Sequence, residues 1–123
     1  ILNFGTRLAD ALTVADSLNA SVADMRFVKP IDEELINQLA ADHQLLVTVE
    51  ENSIAGGAGA AVSEYLAQQG IVMPVLHLGL PDQFIDHGSH PQQLAATGLD
   101  SAGMLQAIEQ RLALLQLPSR AVK

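Results

Sequence analysis

Residues 44–61, QLLVTVEENSIAGGAGAA, decide how the rest of the chain is to be read. QLLVTVE is a continuous apolar run that ends in acids, the pattern of a parallel strand covered on both faces. Helical spacing returns at about Gly57 and lasts to Gln69, with Val62, Tyr65 and Leu66 on one stripe and Gly70 placed to stop it. The glycines between strand and helix raise the question of a phosphate cradle. A dinucleotide fingerprint needs G-x-G-x-x-G in a tight turn straight after the strand, so that a pyrophosphate reaches the helix N-terminus. Gly57 and Gly59 supply two of the three glycines, but Val62 stands at the third position, and the strand is expected to end at Glu50, well short of them. No Lys-Ser or Lys-Thr follows, so a P-loop would lack its counter-charge. Gly56, Gly57 and Gly59 therefore read as structural glycines in a close strand-to-helix junction.

The same unit recurs on either side. ILNF (1–4) is a strand, and Leu8, Ala11, Leu12, Ala15 and Leu18 then fall at helical spacing, with Thr6 as the expected N-cap. Ser21–Phe27 reads as a second strand, closed by Lys29-Pro30. Over residues 31–43, Asp32 caps a helix, Ile31 and Ile36 form its staple, and Glu33 and Glu34 suit its positive end. MPVLHLGL (73–80) is the fourth strand. An ordered loop with a short helix near Pro91–Ala96 follows, and then a last helix, capped by Asp100, stapled by Leu99 and Met104, and striped by Leu105, Ile108, Leu112 and Leu115. That helix is expected to end before Pro118, with the tail PSRAVK (118–123) frayed. Alternating strands and helices imply an α/β fold, a parallel sheet with right-handed crossovers and helices on both faces. The length fits one domain, residues 1–123. Because it opens on Ile1 inside a strand, it reads as a fragment of a longer protein.

Six basic against fourteen acidic side chains give a net charge of -8, which repels phosphate backbones and anionic lipid, so neither nucleic acid nor membrane is expected as a partner. Cysteine is absent, which excludes disulfides, zinc-thiolate sites and thiol nucleophiles. That absence makes the cytoplasm the expected compartment, and the apolar stretches are strand-sized with no basic leader before one, so neither a spanning helix nor a signal peptide is expected. Among the polar groups, Glu50 and Glu51 stand at the carboxyl end of a central strand, where open parallel sheets keep their functional groups, but alternation sends them to opposite sides. His87 and His90, with Asp82 and Asp86, offer metal donors without a structural zinc spacing. His77, inside a strand, reads as a half-buried, hydrogen-bonded histidine, and His43 as lying in the last turn of the second helix. No serine sits in G-x-S-x-G, so no catalytic residue is assigned, and the His87–His90 spacing leaves no metal site assigned. Arg26, Phe27 and Lys29 form the only local concentration of positive charge.

Four blocks, DMRFVKPIDEELI (24–36), LLVTVEENSIAGGAGAAV (45–62), PVLHLGLPDQFIDHGS (74–89) and GLDSAGM (98–104), resemble the C-terminal, third domain of the 1-deoxy-D-xylulose-5-phosphate synthase family, relatives of transketolase. The resemblance covers almost the whole chain in order. It implies a thiamine diphosphate- and magnesium-dependent parent that condenses pyruvate with glyceraldehyde 3-phosphate at the head of isoprenoid and thiamine precursor synthesis, with both cofactors held by its other domains and none here. It also implies a three-layer α/β/α sandwich with strand order 2-1-3-4, and an antiparallel edge strand preceding Ile1. The partners implied are the two other domains of the enzyme and a second subunit of a homodimer. The switch point between the first and third strands then makes Gly5, Arg26, Lys29, Glu50, Glu51 and Asn52 the interface candidates. The alternative is a small-anion or regulatory ligand module at the same point, near Arg26 and Lys29.

Overall fold

The computed structural model describes residues 1–118. Its elements are β1 (Leu2–Phe4), α1 (Leu8–Leu18), β2 (Ala23–Asp24), α2 (Glu33–Asp42), β3 (Leu46–Ser53), α3 (Ala58–Gln68), β4 (Val75–Leu80), α4 (His90–Thr97) and α5 (Ser101–Leu114). The strands form one sheet in the order β2-β1-β3-β4, every pair parallel. Helices cover both faces, as the apolar run at the centre of β3 requires. Leu46 packs with Leu2, Phe4, Ile36, Val62 and Leu66 on the side of α2 and α3. Val47 and Val49 pack with Val14, Leu78, Met104 and Ile108 on the side of α1 and α5. Burying each such side chain stabilises the fold by about 2 kcal/mol.

Local signals account for most boundaries. Asp32 accepts from the Leu35 N–H at 3.0 Å, and Ile36, wholly buried, has Ile31 packed against its cluster. Asp100 accepts from the Gly103 N–H at 2.8 Å, and Leu99 and Met104 are both buried beneath that turn. Ser89 and Gln92 form a reciprocal capping box that starts α4 at His90.

Other boundaries differ from the sequence reading. Thr6 does not cap α1: Arg7 occupies the N-cap position with no side-chain bond, because the Thr6 hydroxyl is turned to Glu51. The strand expected over Ser21–Phe27 is only Ala23–Asp24. The Met25 N–H still reaches the Asn3 carbonyl (2.9 Å), but Arg26 then takes a φ of 60° and the Phe27 N–H folds back on the Met25 carbonyl, which ends the pairing. Conversely, β3 runs past Glu50 to Ser53. Its register against β4 shifts there, from Val49 opposite Leu78 to Ser53 opposite Leu80, a bulge that Gly79 admits: a Cβ on Gly79 would stand 2.9 Å from the Asn52 carbonyl. Leu115 is the C-cap of α5 rather than part of its stripe. Of the tail PSRAVK, residues 119–123 lie outside the described residues.

Candidate functional site

The carboxyl ends of all four parallel strands meet one edge of the sheet, and β3 delivers two adjacent acids to it. Glu50, 3 % exposed, points toward α3, where its carboxylate accepts the Ala58 N–H (Oε1, 2.9 Å) and the Gly59 N–H (Oε2, 2.7 Å). These are the first free amides of the helix, the groups that bind a phosphate oxygen in a nucleotide site, and here a side chain of the same domain neutralises them. The glycines make the approach possible. A Cβ on Gly57 would lie 2.1 Å from Glu50 Oε1 and 2.4 Å from the Ser53 carbonyl, and one on Gly59 would lie 2.5 Å from Thr48 Oγ1 and 2.6 Å from His77 Nδ1. Gly56 serves differently, taking a φ of 71° in open space to turn the loop. Under the first turns of α3, His77 is bonded on both ring nitrogens, to Thr48 Oγ1 at 2.6 Å and to Ser63 Oγ at 2.8 Å. Burial lowers its pKa, against the attraction of Glu50 and with a small contribution from Arg111.

Glu51 faces the other side. Its carboxylate accepts from the Thr6 hydroxyl and from His90 Nε2. Arg7 Nε stands 3.7 Å away, an ion pair beyond hydrogen-bond reach, which leaves that buried N–H without a partner. Arg7 in turn donates to Asp10 at 2.8 Å, and Ser101 donates to Asp10 at 2.6 Å. This chain of polar contacts ties the loop after β1 to the starts of α1, α4 and α5. The Thr6 hydrogen bond, then the His90 one, holds the Glu51 carboxyl below its usual pKa of 4.5.

Gly5, Arg26, Glu50, Glu51 and Asn52 line one cavity of about 320 Å³ at this edge, and Lys29 does not line it. Gly5 carries a φ of 104° where the chain leaves β1. Arg26 is three-quarters exposed and reaches Asp24 at 3.5 Å. Glu50 and Glu51 do take opposite faces. Sequence reasoning gives Thr6 only a capping role, His90 only a place among possible metal donors and Arg7 none, and only the closeness of Thr6 and Arg7 to Gly5 points to this site. His43, placed at the C-cap of α2, spans from the Leu39 carbonyl (2.9 Å) to Ser21 Oγ (3.1 Å). A larger cavity of about 520 Å³ lies at the opposite edge among Ile1, Leu18, Leu45, Ile108 and Leu112, away from this cluster. Among the described residues no group of three or more His, Asp or Glu is placed to hold a metal ion, and no helix is long and apolar enough to cross a membrane. A diphosphate does not fit the α3 terminus, because Glu50 fills it with a carboxylate that would repel the ligand.

Residues 1–104 match the family model for the transketolase C-terminal domain. The chain is 58% identical over 117 residues to a 1-deoxy-D-xylulose-5-phosphate synthase of Pseudomonas fluorescens, covering 95% of this chain and 18% of that protein. It is 61% identical over 115 residues to the synthase of the same name from Thiobacillus denitrificans, covering 94% of this chain and 19% of that one. The chain thus spans less than a fifth of the curated relatives it matches. Among solved structures it is similar to a split-gene transketolase described as an inactive beta4 tetramer, with a TM-score of 0.81 and 36% identity, covering 92% of this chain and 38% of that one.

Proposed function

The chain belongs to the transketolase C-terminal domain family, and from that membership we propose that it serves as the non-catalytic interface domain of a 1-deoxy-D-xylulose-5-phosphate synthase. The parent reaction joins pyruvate to D-glyceraldehyde 3-phosphate with loss of carbon dioxide. Thiamine diphosphate and magnesium, which supply the carbanion chemistry, are bound by the parent's other domains, in a cytoplasmic homodimer. One observation carries the assignment of the chemistry elsewhere: the glycine-rich start of α3 is filled by Glu50, accepting from Ala58 and Gly59. The small-anion reading has less support. The cavity that contains Arg26 also contains Glu50 and Glu51, and Arg26 already pairs with Asp24, so a bound anion would meet more negative charge than positive.

The test is an activity assay with both substrates and both cofactors. The 123-residue chain is expected to form no product. A synthase of Pseudomonas fluorescens in which this chain replaces the matched region is expected to be active. Product from the chain alone would contradict the reading, as would an inactive exchange protein.

A further inference from the structure

Because the sheet is wholly parallel, the segments that follow β2 and β4, its two edge strands, leave from one rim, with three strand spacings, about 14 Å, between the strands themselves. The chain has three phenylalanines. Phe4 is buried, whereas Phe27, just past β2, is 67% exposed and Phe84, just past β4, is 104% exposed. A domain with so few aromatic rings that leaves two of them in water, both on one edge, departs from what burial alone would produce, and exposed rings of this kind mark contact sites. Between them the surface is concave. The cavity beside Arg26 and Val28 ends at Asn52, and Asn52 also opens a second cavity of about 610 Å³ lined by Leu80, Pro81, Phe84 and Ile85.

We infer that this rim is the docking face for the rest of the synthase polypeptide, with Phe27 and Phe84 as anchors seated in apolar sockets and Asn52 in the hydrogen-bonding ground between them. The inference rests on the domain reading above and changes its emphasis. Glu50 and Glu51 are satisfied inside this domain, so the contact runs through the aromatic ends of the rim rather than through its acids. Two observations choose the occupant. The synthases that match this chain devote only 18% to 19% of their length to it, so a much larger body of the same polypeptide accompanies the domain. A second copy of the rim is a poor match, since the chain carries a net charge of -8 and two such rims would bring Asp24, Glu51, Asp82 and Asp86 against their own kind.

The exchange protein described above, with this chain inside the Pseudomonas fluorescens synthase, provides the experiment. Its readout is limited proteolysis at the junction between this chain and the rest. Phe27→Ser and Phe84→Ser together are expected to speed that cleavage about tenfold or more, while leaving the melting temperature of the 123-residue chain unchanged, because both rings are exposed in it. Val72→Ser, which removes an equally exposed apolar side chain ahead of β4 at the opposite edge, is expected to leave the cleavage rate as it was. Equal cleavage with and without the two rings would overturn the proposal. So would sedimentation of the 123-residue chain as a dimer that the same substitutions dissociate, which would make a second copy the occupant. Proteolysis does not depend on product formation. An exchange protein that is inactive yet protected at the junction through Phe27 and Phe84 would sink the functional reading and support the docking face.

Discussion

Glu50 and Glu51 are neighbours in sequence, and the structure treats them in opposite ways. Glu50 is buried against α3 and held by backbone N–H groups, whose positions the helix itself fixes. Glu51 lies on the other face, a quarter exposed, and is held by side chains from the loop after β1 and the start of α4. Backbone donors in a dry site cannot turn away, so the first arrangement is rigid and insensitive to salt. Side-chain donors at a wet rim can exchange for water, so the second is weak and adjustable. One acid is part of the core, and the other fastens loops to one another.

The strongest way to break this comparison is Glu50→Ala. It leaves the Ala58 and Gly59 amides buried without an acceptor and is expected to lower unfolding free energy by about 3 kcal/mol in urea denaturation. Gly57→Ala attacks the same junction by crowding. Its Cβ meets the Ser53 carbonyl, a backbone atom that cannot rotate aside, so a loss of about 2 kcal/mol is expected from the same measurement. Glu51→Gln should cost less than about 1 kcal/mol, and that difference should shrink in high salt. A Glu51→Gln loss as large as that of Glu50→Ala would erase the distinction between the two regions.

Acid provides a finer probe, because each region holds a group whose pKa is lowered on folding. His77 has its pKa lowered on folding, so the unfolded chain binds the proton more readily. Its contribution is complete above the usual value of 6.5 and is lost as pH falls through the folded value. Glu51 is also lowered, so its contribution is complete above 4.5 and is lost as pH falls through its own folded value. Both act in the same direction. Stability measured against pH should therefore fall on acidification, with His77→Phe reducing the loss that begins below 6.5 and Glu51→Gln the loss that begins below 4.5.

Much of this fold was legible from residues alone. The apolar run of β3, the staples at Ile31–Ile36 and Leu99–Met104, and the caps Asp32 and Asp100 are local signals, and local physics decided them. The failures arose where a distant partner decided. Thr6 has the chemistry of an N-cap, but Glu51, far along the chain, takes its hydroxyl. The strand expected after Ser21 is cut short at Arg26 by a turn that no sequence period announces. The glycines of residues 56–59 suggest a close junction in the sequence, but nothing in their spacing says what they admit. A carboxylate arriving from a bulged strand is a tertiary event, and periodicity carries no trace of it. His90 reaches the rim only because the capping box at Ser89 starts α4 there, so its pairing with Glu51 was hidden in the same way.

In the proposed docking, the acids of the carboxyl edge are used within the domain while its aromatic ends meet the rest of the enzyme. Hydrogen exchange compares the two directly, measured on the 123-residue chain and on the same residues within the exchange protein. The prediction is that the Ala58 and Gly59 amides exchange slowly in both. Residues 26–28 and 82–87 are expected to slow by about tenfold or more only when joined to the larger body. Unchanged exchange at both rim segments, or protection at Ala58 and Gly59 that appears only on joining, would contradict it.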